Sequence, residues 1–190
     1  VEKILASERR AFKSRTLQDY VLGSKLPDIY SGFRSPNFEK FAGMVIHFAI
    51  TLEPFKTKMN KLVFYADYMM FRKHGQSISG MRYVAIDRGP VPDKFQTIYE
   101  YLAYINKIEI KNVSFQNYVG DKFKASNSSV NSQELFSETE IEILNEVCNI
   151  FQETSTKEIV DLSHKEKAWV ENQAQKSTIS YHYAFDLSQV

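Results

Sequence analysis

Two long stretches of helical apolar period, one soon after the other, constrain this chain more than any other feature. Phe38, Phe41, Ala42, Val45, Ile46 and Ala49 recur every three or four residues, as do Met59, Leu62, Val63, Ala66, Met69 and Met70. The first set predicts a helix capped by Asn37, with an apolar surface wide enough for a core position. The second predicts a helix from about Thr57 to Lys73, with Gly75 as its stop and Arg72 and Lys73 in the last turn, where positive charge suits the helix dipole. Before them, Gly23, Pro27, Gly32 and Pro36 punctuate a turn-rich connector. The expected division is therefore an N-terminal helical and linker segment, residues 1–36, and a main domain, residues 37–190.

Beyond the helices the pattern turns to short strands. Ser79-Gly80 leads into Met81 to Ile86, which reads as a strand, followed by Arg88-Gly89-Pro90-Val91-Pro92. Two prolines one residue apart fix two φ angles and remove two donors, so a rigid extended loop is expected there. Asp93 is a candidate cap for a helix from Lys94 to Asn106. Residues 108–125 alternate and carry two short strands around Asn112 and Gly120, expected to complete a small antiparallel sheet with the strand at Tyr83. Ser137 with Glu140, Ser155 with Glu158, and Ser163 with Glu166 each show the capping-box spacing. The tail from Ser177 holds Tyr181, Tyr183, Phe185 and Leu187, enough apolar surface to dock. The fold class is α+β, a mainly α-helical domain with a small antiparallel β-sheet.

Composition sets outer bounds. At 190 residues and 43% hydrophobic, the chain can bury a real core. A net charge of +1 gives no bulk electrostatic case for nucleic acid or membrane. Yet the start is basic, with Lys3, Arg9, Arg10, Lys13 and Arg15, and the stretch from Glu134 to Glu171 is acidic. That acidic stretch reads as a solvated helix surface before it reads as a docking face for a basic partner. One cysteine, Cys148, excludes an internal disulfide and sits among Ile141, Leu144, Val147 and Phe151 as a buried, inert thiol. No run of 18 apolar residues spans a bilayer and no secretory leader opens the chain. The expectation is a soluble, cytoplasmic protein without membrane contact. The first residue is Val1, which fits a processed product or a fragment of something longer.

Chemistry-bearing motifs are few. His47, His74, His164 and His182 lack the same-face spacing of a zinc site, so no metal or cofactor is expected. No GxSxG, P-loop or GxGxxG occurs. Asp67 lies mid-helix, where aspartate has poor propensity. It therefore either accepts hydrogen bonds from nearby backbone or anchors the Gly89–Pro92 loop or a ligand, the first being the ordinary structural role. His164 reads as a cap-region histidine and Trp169 as a core or interface anchor.

Several strings together carry a resemblance. They are Phe55-Lys56-Thr57-Lys58-Met59-Asn60-Lys61-Leu62-Val63-Phe64-Tyr65-Ala66-Asp67, then Gly75-Gln76-Ser77-Ile78-Ser79-Gly80 and Arg82-Tyr83-Val84-Ala85. Gly89-Pro90-Val91-Pro92, Asp161-Leu162-Ser163-His164 and Ala168-Trp169 follow in order. The set resembles the Panacea domain of the SocA-like, phage-associated antitoxins, collinear from about Phe38 to Trp169. Where the family's usual leucine or proline follows the strand's alanine, Ile86-Asp87 stands here. The resemblance implies a mainly helical domain, found in prophages, that neutralises a cognate toxin by direct binding. It also implies a protease as a possible further partner. Longer relatives carry an N-terminal DNA-binding or zinc module, followed by a segment resembling Gly32-Phe33-Arg34-Ser35-Pro36, so residues 1–35 fit the remnant of such a module.

The expectation is an antitoxin without catalytic residues. Its partner-binding candidates are Tyr65, Asp67, Arg82, Tyr83, Arg88, Pro90, Pro92, His164 and Trp169. The aromatic and arginine members are types enriched at binding hot spots, and the proline-stiffened loop would present a surface with little ordering cost. A groove involving that loop, Asp67 and His164 is the expected site. Two further readings differ in class. One is a DNA-binding autorepressor of its own operon using the basic N-terminus, which would lose affinity steeply with salt. The other is an enzyme pairing Asp67 with His164, which needs the two side chains within hydrogen-bond reach.

Overall fold

In a computed structural model, residues 26–116, 119–126 and 132–190 are described. Most of the expected segment 1–36, including its basic helix, lies outside them. Helix α1 spans Phe38–Leu52, and its N-terminus is capped as the sequence predicts, Asn37 Oδ1 accepting from the Lys40 amide at 2.9 Å. Helix α2 spans Lys56–His74 and ends on Gly75 with φ +72°, the left-handed stop a glycine supplies without strain.

Helix α2 is the axis of the molecule. Every residue from Lys58 to Phe71 is buried, on all faces rather than along one stripe. A helix buried all round must satisfy every polar side chain it carries from within the protein. Lys58 Nζ donates to the carbonyls of Phe151 (2.7 Å) and Thr154 (2.5 Å). Asn60 Oδ1 accepts from Tyr99 Oη at 2.8 Å, and Lys61 Nζ donates to the Pro90 carbonyl at 2.8 Å. Asp67 accepts from the amides of Ile78 and Ser79, both at 2.8 Å, from Ser79 Oγ, and from Tyr83 Oη at 2.8 Å.

Strands β1 (Tyr83–Ile86) and β2 (Gly89–Pro92) form an antiparallel hairpin over a two-residue turn, with Ile86 facing Gly89 and Tyr83 facing Pro92. The expected loop at Gly89–Pro92 is thus a strand. Strand β1 lies at the centre of its sheet and β2 at an edge, and an edge strand tolerates proline where a central one does not. Helix α3 covers Phe95–Tyr104; its N-cap residue is Lys94 at φ +54°, not Asp93.

Strands β3 (Ile108–Ser114) and β4 (Val119–Ala125) pair with each other in a second, separate sheet. They do not join the strand at Tyr83, as the sequence suggested. Phe123 of β4 is fully buried against Tyr99, with ring centroids 4.9 Å apart, and the Phe123 amide donates to Pro54. The hairpin is therefore held to the helices by its hydrophobic face. The third strand of the first sheet is β5, only Thr178–Ile179.

Helices α4 (Glu138–Phe151) and α5 (Thr156–Ser163) both open with complete capping boxes, Ser137 with Glu140 and Ser155 with Glu158. The third capping-box spacing is not a box. Ser163 is the last residue of α5 and its Oγ bonds back to Val160, while Glu166 is the N-cap residue of α6 (Lys167–Val170). The tail docks as expected, with Tyr181 and Ala184 buried in a 3-10 helix over Tyr181–Asp186. Tyr181 stacks on Tyr68 at 4.4 Å. Cys148 is buried, and burial pushes its thiol up to about 11.

Candidate functional site

The sequence candidates divide by depth. Tyr65, Asp67 and Tyr83 are 0% exposed. Tyr65 stacks on Phe151 at 4.8 Å and donates to Glu166 Oε1 at 3.3 Å, while Tyr83 donates to Asp67 and to the Val63 carbonyl. Burial raises the Asp67 carboxyl above its ordinary range, against four donors that pull the other way. Its four bonds fasten Ile78, Ser79 and β1 to α2, the ordinary structural role open to it from sequence. No hydrogen bond joins Asp67 to His164 among the described residues. Pro90 and Pro92 are buried in β2.

The other candidates reach the surface. Arg82 is half-buried, pairing with Asp28 at 2.7 Å and lying over the Tyr30 ring. Arg88 is exposed in the β1–β2 turn and has no hydrogen bond or ion pair with any described residue. Its turn neighbour Asp87 pairs with Lys176 at 3.1 Å. His164 and Trp169 are half-buried and stack face to face, with centroids 3.9 Å apart at 14°. Trp169 Nε1 donates to the Ile86 carbonyl at 2.8 Å, so the stack sits at the foot of the Arg88 turn. His164 Nε2 is buried without a partner among the described residues, and burial, aided by the nearby Lys61 charge, holds its pKa below the usual histidine value.

Beneath the turn lies a residue that the sequence reading did not single out. Lys61 is fully buried, with only the Pro90 carbonyl as hydrogen-bond acceptor among the described residues, and burial pulls its amine down to about 7. A side chain at Gly89, where φ is +92°, would meet Ser163 Oγ at 2.5 Å and Lys61 Cε at 2.8 Å. Helix α5 and helix α2 thus close directly on the first residue of β2, and only glycine fits between them. The available signal was spacing: Lys61 precedes the buried Tyr65 and Tyr68 by four and seven residues, on the same face of α2. Arranged this way, the GPVP strand, Ser163-His164 and Trp169 build one rigid mount for an exposed arginine.

The acidic stretch is only partly a surface. Glu140 is buried, pairing with Lys40 at 2.6 Å and Arg34 at 3.1 Å. Glu166 is also buried and accepts from the amides of Ser188 (3.0 Å) and Gln189 (3.3 Å), fixing the tail. Glu153, Glu158 and Asp161 line an open cleft of about 450 Å³ with Lys165. Among the described residues, no group of three or more His, Cys, Asp or Glu could hold a metal, and no helix is long and apolar enough to cross a membrane.

The model of the family described as antitoxin SocA-like, Panacea domain, matches residues 59–170. That stretch runs from α2 through the Arg88 turn to Trp169. No curated protein and no solved structure matches the chain.

Proposed function

The chain belongs to the SocA-like antitoxin family, and on that premise we propose that it neutralises a cognate toxin by direct protein–protein binding. The proposed contact surface is the Arg88 turn with the His164–Trp169 stack at its foot. One observation carries this reading: residues far apart in the matched stretch converge on a turn whose arginine is exposed and without a hydrogen-bond or ion-pair partner among the described residues. An exposed arginine beside half-buried aromatic rings suits a binding anchor, since guanidinium is more weakly hydrated than ammonium and this one breaks no ion pair with a described residue on docking. The buried candidates Tyr65, Asp67, Tyr83, Pro90 and Pro92 support that surface from within, and Arg82 braces the preceding segment through Asp28.

On this reading the chain binds and does not catalyse, and residues 37–190 form the binding domain, working in the cytoplasm. The test is co-expression with the protein encoded beside it. Neutralisation requires that the neighbour alone stops growth, that this chain restores growth, and that the two co-purify. Arg88→Glu should abolish both rescue and co-purification while the variant remains folded. A harmless neighbour, or full rescue by Arg88→Glu, would count against the proposal.

A further inference from the structure

The Asp87–Arg88 turn joins two short strands, and β2 supplies only two amide donors, those of Gly89 and Val91. Ile86 faces Gly89 and Val84 faces Val91, so those two donors serve the ladder to β1. The Pro90 carbonyl points the other way, to the outer edge, where Lys61 Nζ takes it at 2.8 Å. On the opposite shoulder, Trp169 Nε1 takes the Ile86 carbonyl at 2.8 Å. Side chains from two helices therefore grip the turn at the residue before it and the second residue after it.

The grip from Lys61 is costly for the fold. An amine held in a fully buried place with one acceptor among the described residues is worse for stability than an apolar side chain of the same length. What the amine supplies that a methionine would not is a directed bond to one carbonyl. We infer that Lys61 is a positioning residue for the Arg88 turn, fixing one shoulder through Pro90 as Trp169 fixes the other through Ile86. The inference rests on the turn being the toxin-binding surface, and it names what sets that surface's shape.

Two arms test it. In the free chain, Lys61→Met should speed hydrogen exchange at the Gly89 and Val91 amides by roughly tenfold over other core amides. It should also shift the emission of Trp169, the one tryptophan in the chain, to the red, with the urea midpoint at pH 7 unchanged or higher. Trp169→Phe keeps a ring beside His164 but removes the N–H, and should loosen the same two amides. Unchanged local exchange in Lys61→Met overturns the inference. So does a lowered midpoint with exchange raised throughout the chain, which would make Lys61 a purely structural residue.

The second arm uses the neighbour-encoded protein as probe. Lys61→Met should raise its Kd roughly tenfold. If Arg88→Glu abolishes binding while Lys61→Met binds as wild type, the positioning role alone fails. If Arg88→Glu binds as wild type, the surface itself is misassigned, and the positioning of a binding surface falls with it.

Discussion

Replacing Lys61 with methionine should make folding less dependent on pH, and the size of the change follows from burial. In the folded chain the amine titrates at about 7, against an ordinary value of 10.5. Between those values the unfolded chain holds a proton that the folded chain has released, so wild-type stability rises with pH. The difference of about 3.5 units corresponds to about 5 kcal/mol in total, reached fully only above the unfolded value. At pH 7 the folded chain forgoes about 4 kcal/mol of this, and at pH 9 about 2 kcal/mol. Lys61→Met removes that dependence, at the loss of one hydrogen bond to Pro90 worth about 1–3 kcal/mol. The variant should therefore be at least as stable as wild type at pH 7. Its advantage should shrink by about 2 kcal/mol at pH 9. Urea unfolding of both proteins at pH 7, 8 and 9 measures this directly. Taking the difference cancels Lys58 and Cys148, whose shifts the two proteins share. Parallel pH profiles for the two proteins would refute the reasoning, because they would mean the amine is charged inside the fold.

Asp67→Ala strands the amides of Ile78 and Ser79 and the Ser79 hydroxyl, leaves the Tyr83 hydroxyl only the Val63 carbonyl, and should lower stability by at least about 3 kcal/mol in urea unfolding. Ser137→Ala and Ser155→Ala each remove one half of a capping box and should each cost about 1 kcal/mol by the same assay, additively, since they cap different helices. Gly89→Ala places a methyl against Ser163 Oγ in a left-handed conformation, so it should lower the unfolding free energy in urea by more than about 1 kcal/mol. Cys148 should resist a thiol-labelling reagent at pH 8 in the native chain and label at once in denaturant, because its thiol is buried and its pKa stands near 11.

What the sequence disclosed is what depends on neighbours along the chain. The Asn37 cap, the Gly75 stop and two of three capping boxes are set within four residues, and each is present. The third spacing misled because α5 runs on through Ser163, whose hydroxyl returns to the Val160 carbonyl instead of capping forward. Strand partners were less legible. A two-residue strand at Thr178–Ile179 has no pattern of its own, yet it takes the place beside β1 that the sequence reading gave to residues 108–125. Prolines in Gly89–Pro92 argue against a strand unless one knows it is an edge. Lys61 was hidden for a related reason. A lysine on a periodic helix reads as solvent-facing, and only the burial of α2 on every side turns it inward. Asp67 gave itself away by its poor helix propensity, but its partners, residues 78, 79 and 83, come from the turn and strand beyond α2.

The alternating prolines of β2 also limit what this molecule can assemble with. The outer edge of the sheet exposes no amide, because both outward positions are proline, and the Pro90 carbonyl there is already taken by Lys61. A strand from a second copy would find no donor to pair with along this margin, so the β2 edge offers no template for edge-to-edge addition. All four residues of β2 are buried as well, so this margin is covered by the helices besides lacking donors.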